Sequence, residues 1–332
     1  MNGLTDYLQR EKDYIMQTSQ LKPKVGISSC LMGQAVRYNG GHQRNNYVMD
    51  VLAKHVELVP VCPEVEAGMG VPRPTIRMVR QKGAPGLVES GTGIDHSALM
   101  NTTLGTISER LKGLDLDGFL LKRASPTCGI SGVKIYATSE RKSQVVARGG
   151  GFFADRLKNE FETLALSEEG WLNDAMLRQQ FLHRIFTARR LKVLRDNPTL
   201  KDLQREYAAH KLLYMAHHPG AQRYLGRRVA KLSGSLSQEQ LSEHMDEAQV
   251  IMGHRLTRGR HVNVLQHILG YVSKRLSAPC RNHTLESIDA YSRGQTSLLA
   301  PLSLLKHQVL DKGAHPWLTQ QVYFDPYPVA LW

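Results

Sequence analysis

The sequence predicts an α/β domain with a parallel sheet, followed by an all-α domain. In the first half, short apolar runs end in turn residues, which is typical of buried strands in a parallel sheet. Beyond about residue 166 the apolar residues recur at helical spacing almost throughout, and prolines and glycines separate the segments. We therefore predict a Rossmann-like domain over residues 1–165 and a helical domain over residues 166–332.

The first domain alternates between predicted strands and helices. Strands are expected where short apolar runs are bounded by turn residues, and helices where the apolar spacing is three or four. The expected strands are residues 24–29, 56–61, 118–122 and 134–137, with a hairpin over 76–88. The expected helices are residues 45–55, 96–111 and 152–164.

Seven helices are expected in the second domain. Thr199 is a candidate N-cap with Asp202 in the first turn, and Ser237 with Gln240 forms a capping-box pattern. The expected helices are residues 173–195, 199–218, 221–231, 238–255, 262–276, 285–293 and 298–310.

Length and composition exclude several classes of protein. A chain of 332 residues can bury two cores, and its composition is that of an ordinary globular protein. No apolar run approaches the length of a membrane span, and residues 1–20 lack the apolar centre of a secretory signal. We therefore expect a cytoplasmic protein that does not act at a membrane. Four cysteines in such a protein do not indicate a disulfide framework.

The charge of the chain indicates a polyanionic partner. The formal net charge is +13, and residues 178–231 contain 13 Lys and Arg against three acidic residues. Nucleic acid is the partner that such clustering favours, although basic residues can also serve only to solvate helices. The candidate phosphate contacts are Arg184, Arg189, Arg190, Lys192, Lys211, Arg223, Arg227 and Arg228.

Three cysteines lie behind predicted strands. Cys30 and Cys62 follow the first two strands directly, and Cys128 lies in the loop after the third. Because the carboxyl ends of parallel strands share one edge of a sheet, we expect the three thiols to meet there. Three converging thiolates form a soft site with one ligand position open for chemistry. Cys280, in the helical half, is not expected to be a ligand.

The residue pattern leaves the nature of this centre open. Zinc with three protein ligands and a water would indicate a hydrolase or deaminase, but the compact Pro-Cys-x-x-Cys pattern of zinc deaminases is absent. Widely spaced cysteines suit a [4Fe–4S] cluster whose fourth iron is free for a soft substrate atom. Each cysteine could also be a small buried hydrophobe.

Four other residues near the cysteines are candidates for chemistry. Glu64 follows Cys62 by two residues and could act in general acid or base catalysis. Ser125 precedes Cys128 by three residues and could orient a substrate or a water. Arg73 and Arg77 could bind a phosphate, or could form part of a solvated face.

Three motifs in order contain the cysteines: Ser29-Cys30-Leu-x-Gly33, Pro60-Val-Cys62-Pro-Glu64 and Ser125-Pro-x-Cys128-Gly129. They resemble the motifs of the TudS family of thiouracil desulfidases, and the likeness covers roughly residues 22–160. The second half resembles the helical domain of the two-domain RudS proteins, which are tRNA 4-thiouridine desulfidases. It does so through His210-Lys-Leu-Leu-Tyr-Met-Ala-His217, Tyr224-Leu-Gly226, Asn263-Val-Leu-x-His267 and Pro326-Tyr-Pro328.

The resemblance implies a set of roles for the residues of the first domain. Cys30, Cys62 and Cys128 would hold a [4Fe–4S] cluster by three irons, and Glu64 and Ser125 would be the catalytic pair. The helical domain would help to hold tRNA. Thr127 stands where the family usually has serine, so the hydroxyl is kept.

The expected activity is non-redox desulfidation of 4-thiouridine in tRNA, which yields uridine and releases hydrosulfide. No phosphate-binding loop of the Gly-x-x-x-x-Gly-Lys-Ser/Thr type is present, so no nucleoside triphosphate is expected to be required. One alternative is a desulfidase of free thiouracil or 4-thio-UMP. An alternative of another class is a non-catalytic, metal- or Fe–S-containing protein that binds RNA.

Overall fold

The computed structural model describes residues 22–195, 198–312 and 316–332. These residues form two compact units. The boundary between the units along the chain lies between Phe181 and Leu182, and the last residues of the chain are divided between the units. The first unit contains all the strands, and the second consists of helices and short turns. Within the described residues, no helix combines the length and the apolar character that crossing a membrane would need.

A parallel sheet forms the centre of the first unit, as predicted. Its strands are β1 (Lys24–Ser28), β2 (Glu57–Val61), β5 (Gly118–Leu121) and β8 (Ala165–Glu168), in the order β2-β1-β5-β8. All three strand pairings are parallel, so the ends of β1, β2 and β5 lie along one edge. β8 was not predicted. It spans the expected domain boundary and pairs with β5, so the first unit continues past residue 165.

A second sheet has the order β4-β3-β6-β7. β3 (Ile76–Val79) and β4 (Gly86–Glu89) form the predicted hairpin, and β6 (Val133–Tyr136) adds to β3 in parallel. β7 (Val145–Gly149) pairs antiparallel with β6 and was missed, because its largely exposed residues show no alternation of apolar and polar side chains.

Helices cover the parallel sheet of the first unit. α1 (Pro63–Glu66) follows β2, α2 (Ser97–Lys112) precedes β5, and α3 (Phe152–Glu160) precedes β8. The expected helix over residues 45–55 is wrong in type, since the chain forms a π-helical turn at Tyr47–Val51 and a 3₁₀ turn at Leu52–Lys54.

Close packing in this core depends on a strand glycine. A Cβ on Gly26 would lie 2.2 Å from the ring of Phe119, so any side chain there would displace the ring. The Phe119 ring in turn packs edge-on against Phe153 of α3, with 5.2 Å between ring centroids. The central strand and α3 are thereby held at a fixed distance.

The seven predicted helices are confirmed, apart from shifts at their ends, and a short helix at Pro316–Thr319 was not predicted. Both predicted N-caps are formed: Thr199 with Asp202, and Ser237 with Gln240. The helices are α4 (Ala175–Val193), α5 (Leu200–His217), α6 (Pro219–Lys231), α7 (Gln238–Gly253), α8 (Arg258–Val272), α9 (Ala278–Ser292), α10 (Leu299–Asp311) and α11 (Pro316–Thr319).

Candidate active site

The first cysteine lies in the turn that ends the central strand. Cys30 is part of the 3₁₀ turn Ser29–Met32, and its carbonyl oxygen accepts hydrogen bonds from the N–H groups of Gly33 and Gln43 at 3.3 and 2.9 Å. Gly33 has a φ of +94°, a conformation that glycine adopts without strain. The chain therefore reverses directly after Cys30 and leaves the thiol at the edge of the sheet.

The second cysteine precedes a helical turn at the end of the neighbouring strand. Cys62 is extended and is followed by Pro63 at the first position of α1, where a missing N–H costs nothing. The backbone N–H groups of Glu64 and Val65 point at the Cys62 sulfur and favour its thiolate form. Only Pro63 separates Cys62 from Glu64, so the same turn positions both side chains.

The third cysteine is held by a hydrogen-bonded loop after β5. The Ser125 Oγ accepts hydrogen bonds from the N–H groups of Thr127 and Cys128, at 3.2 and 3.1 Å. Gly129 packs against this loop, because a Cβ there would lie 2.9 Å from the Ser125 carbonyl oxygen. The side chain of Ser28, at the end of β1, also hydrogen-bonds the Cys128 sulfur.

All three thiols line one cavity of about 340 Å³ at the carboxyl edge of the parallel sheet. The same cavity is lined by Glu64, Ser125, Arg73 and Lys122. A concave site of this size can enclose a small ligand. The structure thus brings together the three cysteines and both residues expected to act on the substrate.

Burial disfavours the thiolate form of each cysteine in the protein alone. It raises the pKa of Cys30 to about 11, it raises that of Cys62, and it raises that of the fully enclosed Cys128 well above the usual range. Nearby cysteines add to this effect at Cys30 and Cys128, whereas Lys122 and Arg37 oppose it at Cys30. Three sulfurs in so small a space therefore need a cationic group to be stable together as thiolates.

An all-sulfur set of donors fits a soft centre that spans several atoms. Among the described residues, no three His, Cys, Asp or Glu side chains are arranged to hold a single metal ion. Cysteine thiolates are the protein ligands that iron–sulfur clusters use. The donors and the cavity therefore fit an iron–sulfur cluster.

Glu64 is held from two sides. Arg73 donates to the Glu64 Oε2 from Nε at 3.0 Å and also from its Nη2, and the Thr127 hydroxyl donates to Oε1. The side chain of Arg73 is 3% exposed and that of Glu64 is 15% exposed, so the ion pair is largely shielded from water. Each carboxylate oxygen can accept two hydrogen bonds, so Oε1 keeps the capacity for one more donor.

The two arginines predicted to bind phosphate lie in different places. Arg73 is committed to Glu64 and to the carbonyl oxygen of Gly70, at 2.9 Å. Arg77 lies on β3, in a neighbouring cavity, where it donates to the Ser90 Oγ at 2.8 Å. A phosphate-binding role for either residue stays a prediction.

The basic residues of the helical unit divide into two groups. Arg190 is buried and donates to the Pro326 carbonyl oxygen at 2.7 Å, and Arg228 forms ion pairs with Glu243 and Glu247. Burial lowers the pKa of Arg184 to about 10, and Arg189 and Lys192 are half-buried. The remaining three, Lys211, Arg223 and Arg227, line a cavity of about 670 Å³ together with Tyr207, Tyr271 and Trp317.

Sequence reasoning missed the partners of Glu64. Thr127 was noted only as a substitution for serine, and no pattern in the sequence connects it with a glutamate 63 positions earlier. Arg73 was identified, but as a ligand for phosphate rather than as the partner of Glu64. Lys122, next to Arg123 in the loop after β5, is the cation that lowers the pKa of Cys30 most.

The fold and the cysteine-lined cavity define an α/β domain with a three-thiol site, followed in the chain by a helical domain. Residues 25–169 match the model of the 2-thiouracil desulfurase family, and residues 211–328 match that of DUF1722, a family of unknown function. The chain therefore combines a 2-thiouracil desulfurase domain with a DUF1722 domain. Its first domain is that of a desulfidase family.

Three known proteins show the extent of this similarity. The uncharacterized protein YbgA of Escherichia coli (strain K12) is 30% identical over 154 residues, which cover 45% of this chain and 89% of YbgA. The uncharacterized protein YbbK of Bacillus subtilis (strain 168) is 28% identical over 108 residues, which cover 31% of this chain and 71% of YbbK. The solved structure of the [4Fe-4S]-dependent thiouracil desulfidase TudS is 28% identical, covers 48% of this chain and 98% of its own, and has a TM-score of 0.38.

Proposed function

We propose that this protein is a [4Fe–4S]-dependent enzyme that converts 4-thiouridine in tRNA to uridine and releases hydrosulfide. One observation carries the proposal: three cysteines, which follow three adjacent parallel strands in the chain, line the same cavity as a positioned glutamate. Cys30, Cys62 and Cys128 would hold the cluster. When bound, it would supply a soft Lewis-acidic iron for the sulfur of the thiocarbonyl.

The protein's own contribution to the reaction centres on Glu64. Arg73 donates to the Oε2 of its carboxylate and Thr127 donates to the Oε1. The remaining lone pair of Oε1 can accept a hydrogen bond from water. Glu64 takes the proton of that water as its oxygen attacks C4 of the base. The C–O bond forms, Glu64 returns the proton to the sulfur, and the C–S bond breaks as hydrosulfide leaves. The second proton of the water passes to solvent when the C4 carbonyl forms. The reaction is a hydrolysis and consumes no electrons.

Ser125 acts through the shape of the loop as well as through its hydroxyl. Its Oγ accepts from two backbone N–H groups, which positions both Cys128 and Thr127. The hydroxyl also lies 3.3 Å from the Thr127 Oγ1. Loss of Ser125 should therefore disturb a cluster ligand and the contact with Glu64 together.

The proposal of tRNA as the substrate rests on the helical unit. Lys211, Arg223 and Arg227 combine with three aromatic side chains in one cavity, and Lys211 Nζ lies 5.6 Å from the centre of the Trp317 ring. Cations beside aromatic rings suit RNA, whose phosphates pair with the charges and whose unstacked bases lie on the rings. The second candidate is an enzyme that acts on free thiouracil. The match to the 2-thiouracil desulfurase family favours this candidate.

Metal content and turnover test the role of the cysteines. After anaerobic reconstitution with iron and sulfide, Cys30→Ala, Cys62→Ala and Cys128→Ala should each lose the brown colour and desulfidation of tRNA. Cys280→Ala is the matched control, because Cys280 is exposed in the helical unit. Glu64→Gln should keep the iron and lose turnover. Full activity of Cys128→Ala would contradict the cluster proposal.

Charge reversal tests the choice of tRNA over free thiouracil. Arg223→Glu with Arg227→Glu should weaken tRNA binding. The dependence of affinity on salt concentration should also become shallower, by the amount expected for the loss of roughly two phosphate contacts. Lys274→Glu with Arg281→Glu, at exposed positions outside that cavity, is the matched control. If tRNA affinity is unchanged, or if thiouracil and tRNA are turned over equally well, the free base becomes the favoured substrate.

A further inference from the structure

We propose that a second cavity, beside the one lined by the cysteines, binds the phosphate of the nucleotide whose base loses its sulfur. This inference rests on the proposed function and adds to it a binding site for the phosphate of the substrate. The second cavity has a volume of about 580 Å³, which can hold part of a nucleotide. It is lined by the second sheet and by the loop after β5.

The two cavities are neighbours with a common wall. Thr75, Ile76, Arg123, Ala124 and Pro126 line both of them. The loop after β5 therefore carries Cys128 on the side of the first cavity and faces the second cavity with Arg123. A ligand whose base lies at the thiols can extend past this wall with its sugar and phosphate.

Three cations lie in a row across the second sheet. Lys134 of β6 is the direct cross-strand partner of Arg148 on β7. On the other side, Met78 of β3 pairs with Ile135, so Arg77 lies beside Lys134. Residues in register on adjacent strands share one face of a sheet, and like charges placed opposite each other destabilise the pairing. An anion bound over this row would relieve the repulsion.

The hydrogen bonds around these cations leave their charge uncompensated. Arg77 donates to the Ser90 Oγ at 2.8 Å and to the Glu140 carbonyl oxygen at 2.7 Å, and its guanidinium lies over the Tyr136 ring at 4.5 Å. Arg148 donates to the Gly132 carbonyl oxygen at 3.1 Å. These partners are all neutral, so they position the arginines without cancelling their charge.

The cavity as a whole carries a positive charge. Four cations line it, and its one carboxylate, Glu168, is 2% exposed and accepts from the backbone N–H of Ile130 at 2.7 Å. The formal charge of the lining is therefore +3. Phosphate is the anionic part of a nucleotide, and guanidinium and ammonium groups are its usual partners in proteins. The positive charge of the cavity therefore suits the phosphate, which is the part of the nucleotide that would lie there.

Binding to the metal-free full chain tests the site without relying on turnover. UMP should bind about tenfold more tightly than uridine, since one charge-assisted contact of this kind is worth about that factor. Lys134→Gln with Arg148→Gln should remove most of this difference. Lys82→Gln with Lys142→Gln removes the same charge at exposed positions outside both cavities, and it should keep the difference. Equal binding of UMP and uridine to the natural chain would overturn the proposal.

Further arms identify the source of the phosphate. Inorganic phosphate that binds as tightly as UMP would show a simple anion site and would contradict a nucleotide site. A short RNA that binds more tightly than UMP, with the gain lost in the Lys134→Gln, Arg148→Gln variant, would assign the cavity to an RNA chain. Lys134→Gln alone is the second variant, because Lys134 is exposed and its loss removes no backbone contact of the kind that Arg148 makes.

The reconstituted enzyme separates failure of this inference from failure of the proposed function. In the double variant the preference in kcat/KM for 4-thio-UMP over 4-thiouridine should fall about tenfold. An unchanged preference would overturn the inference and leave desulfidation intact. Selective UMP binding by a protein that desulfurises no substrate would overturn the proposed function and leave the phosphate site.

Discussion

Two buried histidines make the stability of the helical unit sensitive to acid. The His217 Nδ1 lies 3.0 Å from the His254 carbonyl oxygen, and the His261 Nδ1 lies 2.7 Å from the Tyr323 hydroxyl. Neither ring is accessible to solvent. Burial lowers the pKa of His217 to about 3 and that of His261 to about 4. Both rings are therefore neutral in the folded protein throughout the range from pH 8 to pH 5.

The sign follows from the unfolded chain, in which a histidine has a pKa of about 6.5. The folded pKa values are lower, so the unfolded state binds more protons and folding is favoured above that pH. The contribution is lost as pH falls through 6.5 and levels off below the folded pKa values. At pH 5 each histidine costs about 2 kcal/mol, so the free energy of unfolding should be about 4 kcal/mol lower than at pH 8. Burial also lowers the pKa of His183, which acts in the same direction.

Urea unfolding between pH 8 and pH 5 measures this effect. In a Trp171→Phe background, tryptophan fluorescence reports on the helical unit through Trp317 and Trp332. His261→Gln should reduce the pH dependence by about 2 kcal/mol, because it removes one titrating group. His283→Gln is the control, since the side chain of His283 is 73% exposed. The reasoning is refuted if His261→Gln leaves the pH dependence as steep as in the natural chain.

Two further substitutions test contacts that the structure places at Glu64 and Glu206. Thr127→Val removes the hydroxyl that donates to Glu64 and should lower the rate at saturating substrate about ten- to a hundredfold, whereas Thr127→Ser should restore it. A Val variant as fast as the natural enzyme would exclude Thr127 as a positioning residue. Glu206→Gln should lower the free energy of unfolding of the helical unit by about 3–5 kcal/mol, because Glu206 is buried between His210, His244 and Tyr214. Glu286→Gln is the control in the same urea titration, because the side chain of Glu286 is 78% exposed. A decrease in the free energy of unfolding below about 1 kcal/mol for Glu206→Gln would contradict the role of the buried network.

Much of the first domain could be predicted because its signals are local. The apolar runs that end at Cys30 and Cys62 identify β1 and β2, and parallel pairing then places their ends together. β7 and β8 were missed, since neither carries an apolar pattern strong enough to distinguish it from a loop. The second cavity depends on β7, so it could not be foreseen without the structure.

The helical domain was predictable for a similar reason. Its helices begin at residues whose side chains cap the backbone, such as Thr199 and Ser237, and these caps depend only on neighbours three positions away. The division of its basic residues was not predictable. Arg190 and Arg223 look alike in the sequence, but the first is buried against a distant carbonyl oxygen and the second is exposed beside an open cavity.

The sequence by itself determined the type and order of most elements, the positions of the three cysteines behind β1, β2 and β5, and the nearness of Glu64 and Ser125 to them. These properties follow from spacing along the chain and from the period of the apolar residues. Only the tertiary structure decided which groups act together: Thr127 and Arg73 with Glu64, and Lys134 with Arg148. The physical reason is that hydrogen bonds and charge interactions depend on distances between atoms that folding brings together, and no pattern along the chain records those distances.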